Sequence, residues 1–141
     1  MIIVEKIIFL RNVHLFSKMP LNGLEYLAGA AEEAIYSAGE SIIREGEYGD
    51  SMFLIVDGEV RIHSGETDLS VITKKDYFGE LSIIDGEPRS ASASAQTDCL
   101  LLKISNEKFN EILKLHLDSA LAIIQALTRD LRNERNKKTH E

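Results

Sequence analysis

Cysteine is nearly absent from this chain: its 141 residues include one, Cys99. A lone thiol excludes an internal disulfide and any metal or iron–sulfur centre built on a cysteine cluster. Within its strand-like run Cys99 reads as a small buried hydrophobe, not a nucleophile. Histidine is sparse too. His14, His63, His116 and His140 are scattered without a His-x-His or equivalent pair, so no metal site is expected. No run of about 18 apolar residues occurs, which argues against a membrane-spanning helix. A signal peptide is also missing, because Glu5 and Lys6 interrupt the apolar start Met1-Ile2-Ile3-Val4. Positive charge is in short supply: 16 Lys and Arg against 23 Asp and Glu leave a net charge of −7. That balance disfavours nucleic acid, which is held largely through phosphate–cation contacts, and anionic membrane surfaces. A small anion remains admissible, since exposed charges are screened beyond about 8 Å at physiological salt and the local pocket decides. A reducing, cytoplasmic setting fits these absences. No internal repeat or low-complexity tract is present.

What is there has ordinary proportions, 44% hydrophobic and 28% charged, and the length suits one domain with a real core. The expected layout is helical over 1–33, β-rich over 34–104 and helical again over 105–141. Apolar residues from Ile2 to Leu10 predict a helix to about Arg11, then a looser turn through Phe16. Pro20 breaks the chain. Asn22 is the expected cap of a second helix that buries Leu24, Leu27, Ala28 and Ala31 and ends near Glu33. From Ala34 to Ile104 the period becomes two, and turns recur about every 8 to 12 residues, which signals an all-β roll or sandwich. Within it Asp57-Gly58 predicts a hairpin between Met52–Val56 and Glu59–His63, and Ser64-Gly65-Glu66-Thr67 a second tight turn. Gly39, Gly46, Gly49, Gly58, Gly65 and Gly86 read as turn geometry. Ser105-Asn106-Glu107-Lys108 opens a helix carrying Phe109, Ile112 and Leu113. After a break near His116 to Ser119, a final helix carries Leu117, Leu121, Ile124, Leu127 or Thr128, and Leu131. That stripe either packs on the roll or zips to a second copy. Arg129, Arg132, Arg135, Lys137 and Lys138 complement the negative end of its dipole.

The stretch around which the chain is organised is Phe78-Gly79-Glu80-Leu81-Ser82-Ile83-Ile84-Asp85-Gly86-Glu87-Pro88-Arg89-Ser90-Ala91. Gly79 lets the main chain approach a ligand closely. A short helix over Glu80 to Ile84 directs its first N–H groups towards whatever sits at that end. Arg89 offers a planar fork of donors matched to phosphate oxygens. Glu80 repels phosphate, but it suits a hydroxyl proton such as that of a ribose 2′-OH. Phosphate and sugar together are the ligand these residues imply. Asp85-Gly86-Glu87-Pro88 reads as a solvated turn rather than half of a hydrolytic carboxylate pair.

Phe78-Gly79-Glu80-Leu81 and Arg89-Ser90-Ala91, at this spacing, resemble the phosphate-binding cassette of the cyclic-nucleotide-binding domains. The resemblance implies an α+β, mainly β domain: an antiparallel, jelly-roll-like β-roll with an N-terminal helical segment and C-terminal helices. It assigns the ribose 2′-hydroxyl to Glu80 and the cyclic phosphate to Arg89, with the backbone of Gly79, Leu81, Ser82, Ser90 and Ala91 completing the cradle over 78–91. It implies binding without chemistry, so no catalytic residue, metal or cofactor is expected beyond the ligand, cyclic AMP before cyclic GMP. Ser90 does not discriminate the two bases. Arg132 and Arg135 on the last helix are the candidates for a lid over the base, and movement of that helix is the expected output. A homodimer through the last helix, or an effector domain outside this chain, is the expected partner. No DNA-reading segment is recognised, so direct gene regulation is not expected. The alternative is the same fold serving as an interaction module that binds no nucleotide. Removing Arg89 is expected to cost ligand affinity while hardly touching fold stability.

Overall fold

The computed structural model describes residues 1–140, with side chains through residue 136. Lys137, Lys138 and His140, included in the expectations above, therefore lie outside the described side chains. Helix α1 (Ile3–Arg11) leads through a 3-10 turn (His14–Phe16) to helix α2 (Leu21–Ala30). Eight strands follow: β1 (Glu32–Tyr36), β2 (Ser41–Ile43), β3 (Ser51–Asp57), β4 (Val60–Ser64), β5 (Thr67–Ile72), β6 (Tyr77–Phe78), β7 (Ser92–Ala95) and β8 (Cys99–Ser105). Helix α3 (Glu80–Asp85) interrupts them between β6 and β7, and helices α4 (Asn106–Leu115) and α5 (Leu117–His140) complete the described chain. All the strand pairs are antiparallel, in two four-stranded sheets ordered β1-β8-β3-β6 and β2-β7-β4-β5.

Consecutive strands switch sheets at every connection except β4–β5. Asp57-Gly58 is therefore a corner and not the predicted hairpin: β3 pairs with β8 and β6, while β4 pairs with β5 and β7. The turn signal was real but reported a close approach. Gly58 has φ +100, and a Cβ there would stand 2.4 Å from the Asp98 carbonyl oxygen. The neighbouring Gln96 N–H donates to the Glu59 carbonyl at 2.9 Å, so two sheet-switching corners are fastened together. Ser64–Thr67 is the tight turn the sequence predicts, and it joins β4 and β5 as a hairpin.

Central strands β3 and β8 explain where the core lies. Met52 and Leu54 on β3 face the helices with Leu102 and Ile104 of β8, whereas Phe53 and Ile55 face the roll interior with Cys99 and Leu101. Burial on both faces is why these strands read as nearly continuous apolar runs instead of alternating ones. Cys99 is 3% exposed, as its apolar setting implies, and burial pushes its thiol pKa up. Phe53 and Phe78 stack inside the roll, ring centres 5.2 Å apart.

The helical layer packs on the outer faces of β3 and β8. Leu10, Val13, Leu15, Phe16, Leu24, Leu27, Ala28, Phe109 and Ile112 are all fully buried there. Helix α2 departs from its expected bounds at both ends. Extended Pro20 precedes its first turn, and Asn22 lies inside the helix with Oδ1 accepting from the Gly23 N–H at 2.9 Å. It ends at Ala30, because Glu32 and Glu33 already pair with Lys103 and Leu102 of β8. Sheet pairing outweighs the weak helical preference of glutamate. Ser105 caps α4 as predicted, its hydroxyl accepting from the Lys108 N–H at 3.2 Å, and His116 forms the break before α5.

Of the two uses open to the α5 stripe, packing on the roll is largely not seen. Leu117, Leu121, Ile124 and Leu131 are 77%, 54%, 56% and 59% exposed, while Ser119, Ala122, Ile123 and Ala126 are buried. Small side chains let α5 settle closely: a Cβ on Gly23 of α2 would overlap the Ser119 hydroxyl. Leu127 alone of the stripe reaches the core edge. Among the described residues no helix is long and apolar enough to cross a membrane.

Candidate functional site

Two left-handed glycines frame α3. Gly79, at φ 85 and ψ 1, precedes its first residue, and Gly86, at φ 72, follows its last. Those dihedrals suit glycine because it carries no Cβ. Between them Ile83 is buried in the helical core cluster, while Leu81 and Ile84 are exposed. The short helix is thus attached by one apolar side chain and turns its opening towards the roll.

Arg89 lies beneath that opening and is 5% exposed. Its Nη1 donates to the Gly79 carbonyl at 2.8 Å and its Nη2 to the Ser51 carbonyl at 2.7 Å. The guanidinium therefore joins β3 to the Gly79 turn. Its backbone is held as well: the Arg89 N–H donates to the Glu47 carbonyl at 2.8 Å, and the Gly46 N–H donates to the Arg89 carbonyl at 2.9 Å. The acidic, glycine-rich loop 45–50 is the strap that seats this arginine. Gly49 packs against the planar group itself, since a Cβ there would stand 2.3 Å from Arg89 Cζ. Burial pushes the Arg89 pKa down, partly offset by the carboxylates of Asp50 and Glu80.

Glu80 is half-buried beside it. Its carboxyl pKa is raised, chiefly by burial and further by Asp130 of α5, while its own backbone N–H and the Arg89 charge act in the opposite direction. Ionised Glu80 is consequently a cost to the fold. The stability given by its protonated form is complete below the ordinary glutamate pKa and is lost as pH rises through the raised one. If Glu80 accepts a ligand hydroxyl, its ionised carboxylate is the stronger acceptor. Affinity should therefore fall on acidification through a pKa above the ordinary value of 4.5, and Glu80→Gln should weaken binding and flatten that dependence. Calorimetric titration from neutral pH downwards reads both.

A cavity of about 190 Å³ is lined by Gly79, Glu80, Leu81, Ser82, Arg89, Ser90 and Ala91, the whole predicted cradle. Its remaining walls are Ile62, Ile72, Tyr77, Phe78 and Ser92. Position in the roll, not any motif, brings in Ile62 and Ile72 from β4 and β5; their alternation with polar neighbours was the available signal. Arg132 and Arg135 are outside this lining. They border a wider groove of about 440 Å³ with Thr128, Leu131 and Asn136, all from α5, and one helix face cannot enclose a ligand. Among the described residues no group of three His, Cys, Asp or Glu side chains is placed to hold a metal.

Two facing antiparallel sheets, with a short helix inserted between strands and a buried arginine beside a half-buried carboxylate, define a small-ligand-binding β-roll. Residues 33–116 match the cyclic nucleotide-binding domain. The chain belongs to that family. It is 34% identical over 107 residues to the cAMP-dependent protein kinase regulatory subunit of Emericella nidulans, covering 74% of this chain and 26% of that protein. It is also 34% identical over 110 residues to human cGMP-dependent protein kinase 2, covering 73% of this chain and 14% of that one. The chain thus spans about a quarter or less of these relatives. Among solved structures, cAMP-bound PfPKA-R superposes with TM-score 0.79 at 28% identity, over 95% of this chain and 46% of the other.

Proposed function

We propose that this domain binds a cyclic mononucleotide, cyclic AMP in preference to cyclic GMP, and converts occupancy into movement of α5. The observation that carries this reading is the buried Arg89 fork at the floor of a cavity whose rim holds Glu80. In this reading Arg89 and the main chain of Gly79, Leu81, Ser82, Ser90 and Ala91 receive the cyclic phosphate, and Glu80 accepts the 2′-hydroxyl. The apolar walls Ile62 and Ile72 flank the base. Arg132 and Arg135 reach the base only if α5 swings, so their role as a lid and the movement stand or fall together. Preference for cyclic AMP is supported by the cAMP-bound structural neighbour; equal identity to a cGMP-dependent kinase supports no base preference. The domain leaves its ligand unaltered and acts in the cytoplasm as part of a larger regulatory assembly.

Thermal-shift and calorimetric titration with both nucleotides test the proposal. A ligand at 100 times its dissociation constant adds about 2.7 kcal/mol of stability. No stabilisation by either nucleotide would leave an interaction module of the same fold, and appearance of a linear nucleotide on chromatography would reveal a hydrolase.

The exposed stripe of α5 supports a second copy as partner. Leu117, Leu121, Ile124, Thr128 and Leu131 recur at steps of four and three, the spacing of a coiled-coil seam. Light scattering should report a dimer that Leu121→Glu with Ile124→Glu converts to a folded monomer. A wild-type monomer at high concentration would remove this part of the reading.

A further inference from the structure

Two separate elements converge on one carboxylate of α5. Asp130 Oδ1 lies 2.8 Å from His14 Nε2, on the 3-10 turn that follows α1. Its other oxygen accepts from the Tyr77 hydroxyl at 2.9 Å. Tyr77 is on β6, immediately before the cradle, and it lines the cavity. Asp130 thus ties α5 to β6 and to the N-terminal turn at once. The Asp130 charge also opposes ionisation of Glu80. The His14 pair is half-exposed, 42% and 41%, so by itself it is weak. The Tyr77 bond is partly buried and its ring is fixed by the roll.

We propose that Asp130 is a latch: held by Tyr77 and His14, it keeps α5 where Arg132 and Arg135 lie outside the cavity and disfavours the ligand, so that ligand entry and latch release are coupled. The proposal deepens the nucleotide-binding reading and rests on it for the ligand arm. The physical basis is one of sign. A ribose hydroxyl is held better by ionised Glu80, and the Asp130 charge makes that form less favourable. Loss of the latch relieves the repulsion and frees α5, both of which favour the occupied state. Reciprocity requires the converse: a bound ligand, by stabilising ionised Glu80, weakens the hold on Asp130.

Asp130→Asn keeps the shape and removes the charge; His14→Gln removes a partner that does not line the cavity. In wild-type background Asp130→Asn should tighten cyclic AMP binding by about fivefold or more, the lower end of typical coupling between sites. In a Glu80→Gln background the same change should give a much smaller gain. Unchanged or weakened binding by Asp130→Asn in wild-type background, or an equal gain in both backgrounds, overturns the coupling through Glu80. A second arm uses no ligand. Hydrogen exchange of α5 should accelerate in both Asp130→Asn and His14→Gln, with β3 and β8 unaffected. Unchanged α5 exchange overturns the latch. Failure of wild-type protein to bind any cyclic nucleotide sinks the functional reading instead, and the exchange arm still decides the latch.

Discussion

Arg89→Ala should weaken nucleotide binding steeply and also lower fold stability, two effects that the sequence alone separates and the structure joins. For the ligand, removing one side of a buried, hydrogen-bonded charge pair costs about 2–5 kcal/mol, or roughly 30- to 5000-fold in affinity. For the fold, the Gly79 and Ser51 carbonyls lose the donors that now reach them at 2.8 and 2.7 Å. Each hydrogen bond to a charged group contributes about 1.5–3 kcal/mol. The desolvation cost of a buried guanidinium offsets part of this, so the net loss should be about 2 kcal/mol. The expectation that stability would hardly change is therefore revised: Arg89 is a strut as well as the proposed ligand donor. Arg89→Lys keeps charge but not the fork, and should recover part of the stability and little of the binding. Urea denaturation beside calorimetry distinguishes the outcomes. An unchanged midpoint returns Arg89 to a purely ligand-facing role, and undiminished binding removes the cradle from the account.

The legible parts of this chain were those set by short-range rules. Gly79 and Gly86 frame α3 where the sequence puts a glycine-bounded turn, and Ser105 caps α4 because a hydroxyl three residues before an N–H can reach it. Leu24, Leu27, Ala28 and Ala31 share the buried face that their spacing requires. The illegible parts were decided across the fold. Asp57-Gly58 carries a hairpin signature, yet a distant backbone at Asp98 is what needs the missing Cβ. The α5 stripe has the larger side chains, but Gly23 and Ser119 allow close approach only on the neighbouring face. Asp130 carries no local sequence signal, because its partners at His14 and Tyr77 lie far away in the chain. In the cradle the local motif located the cavity, while Ser51, Ile62, Ile72 and Tyr77 came from pairing and packing.

Gly49→Ala is the sharpest test of a role that local sequence hides. In the sequence Gly49 sits in an acidic loop and reads as turn geometry; in the structure it is the surface on which Arg89 lies flat. An added methyl would stand 2.3 Å from Cζ and 2.5 Å from Nε, well inside contact distance. The end of a long side chain ordinarily swings clear at little cost. Here swinging clear means giving up the Gly79 and Ser51 carbonyls, and the loop cannot retreat easily because Gly46 and Glu47 are hydrogen-bonded to the Arg89 backbone. Loss of one charged hydrogen bond, about 1.5–3 kcal/mol, corresponds to roughly ten- to a hundredfold weaker nucleotide binding, with a smaller fall in stability. The double variant with Arg89→Ala identifies the cause. If the methyl acts through the guanidinium, Gly49→Ala adds almost nothing once that group is gone, and the cycle is strongly non-additive. Additive losses would show instead that Gly49 serves the loop alone, and that Arg89 keeps its position without it.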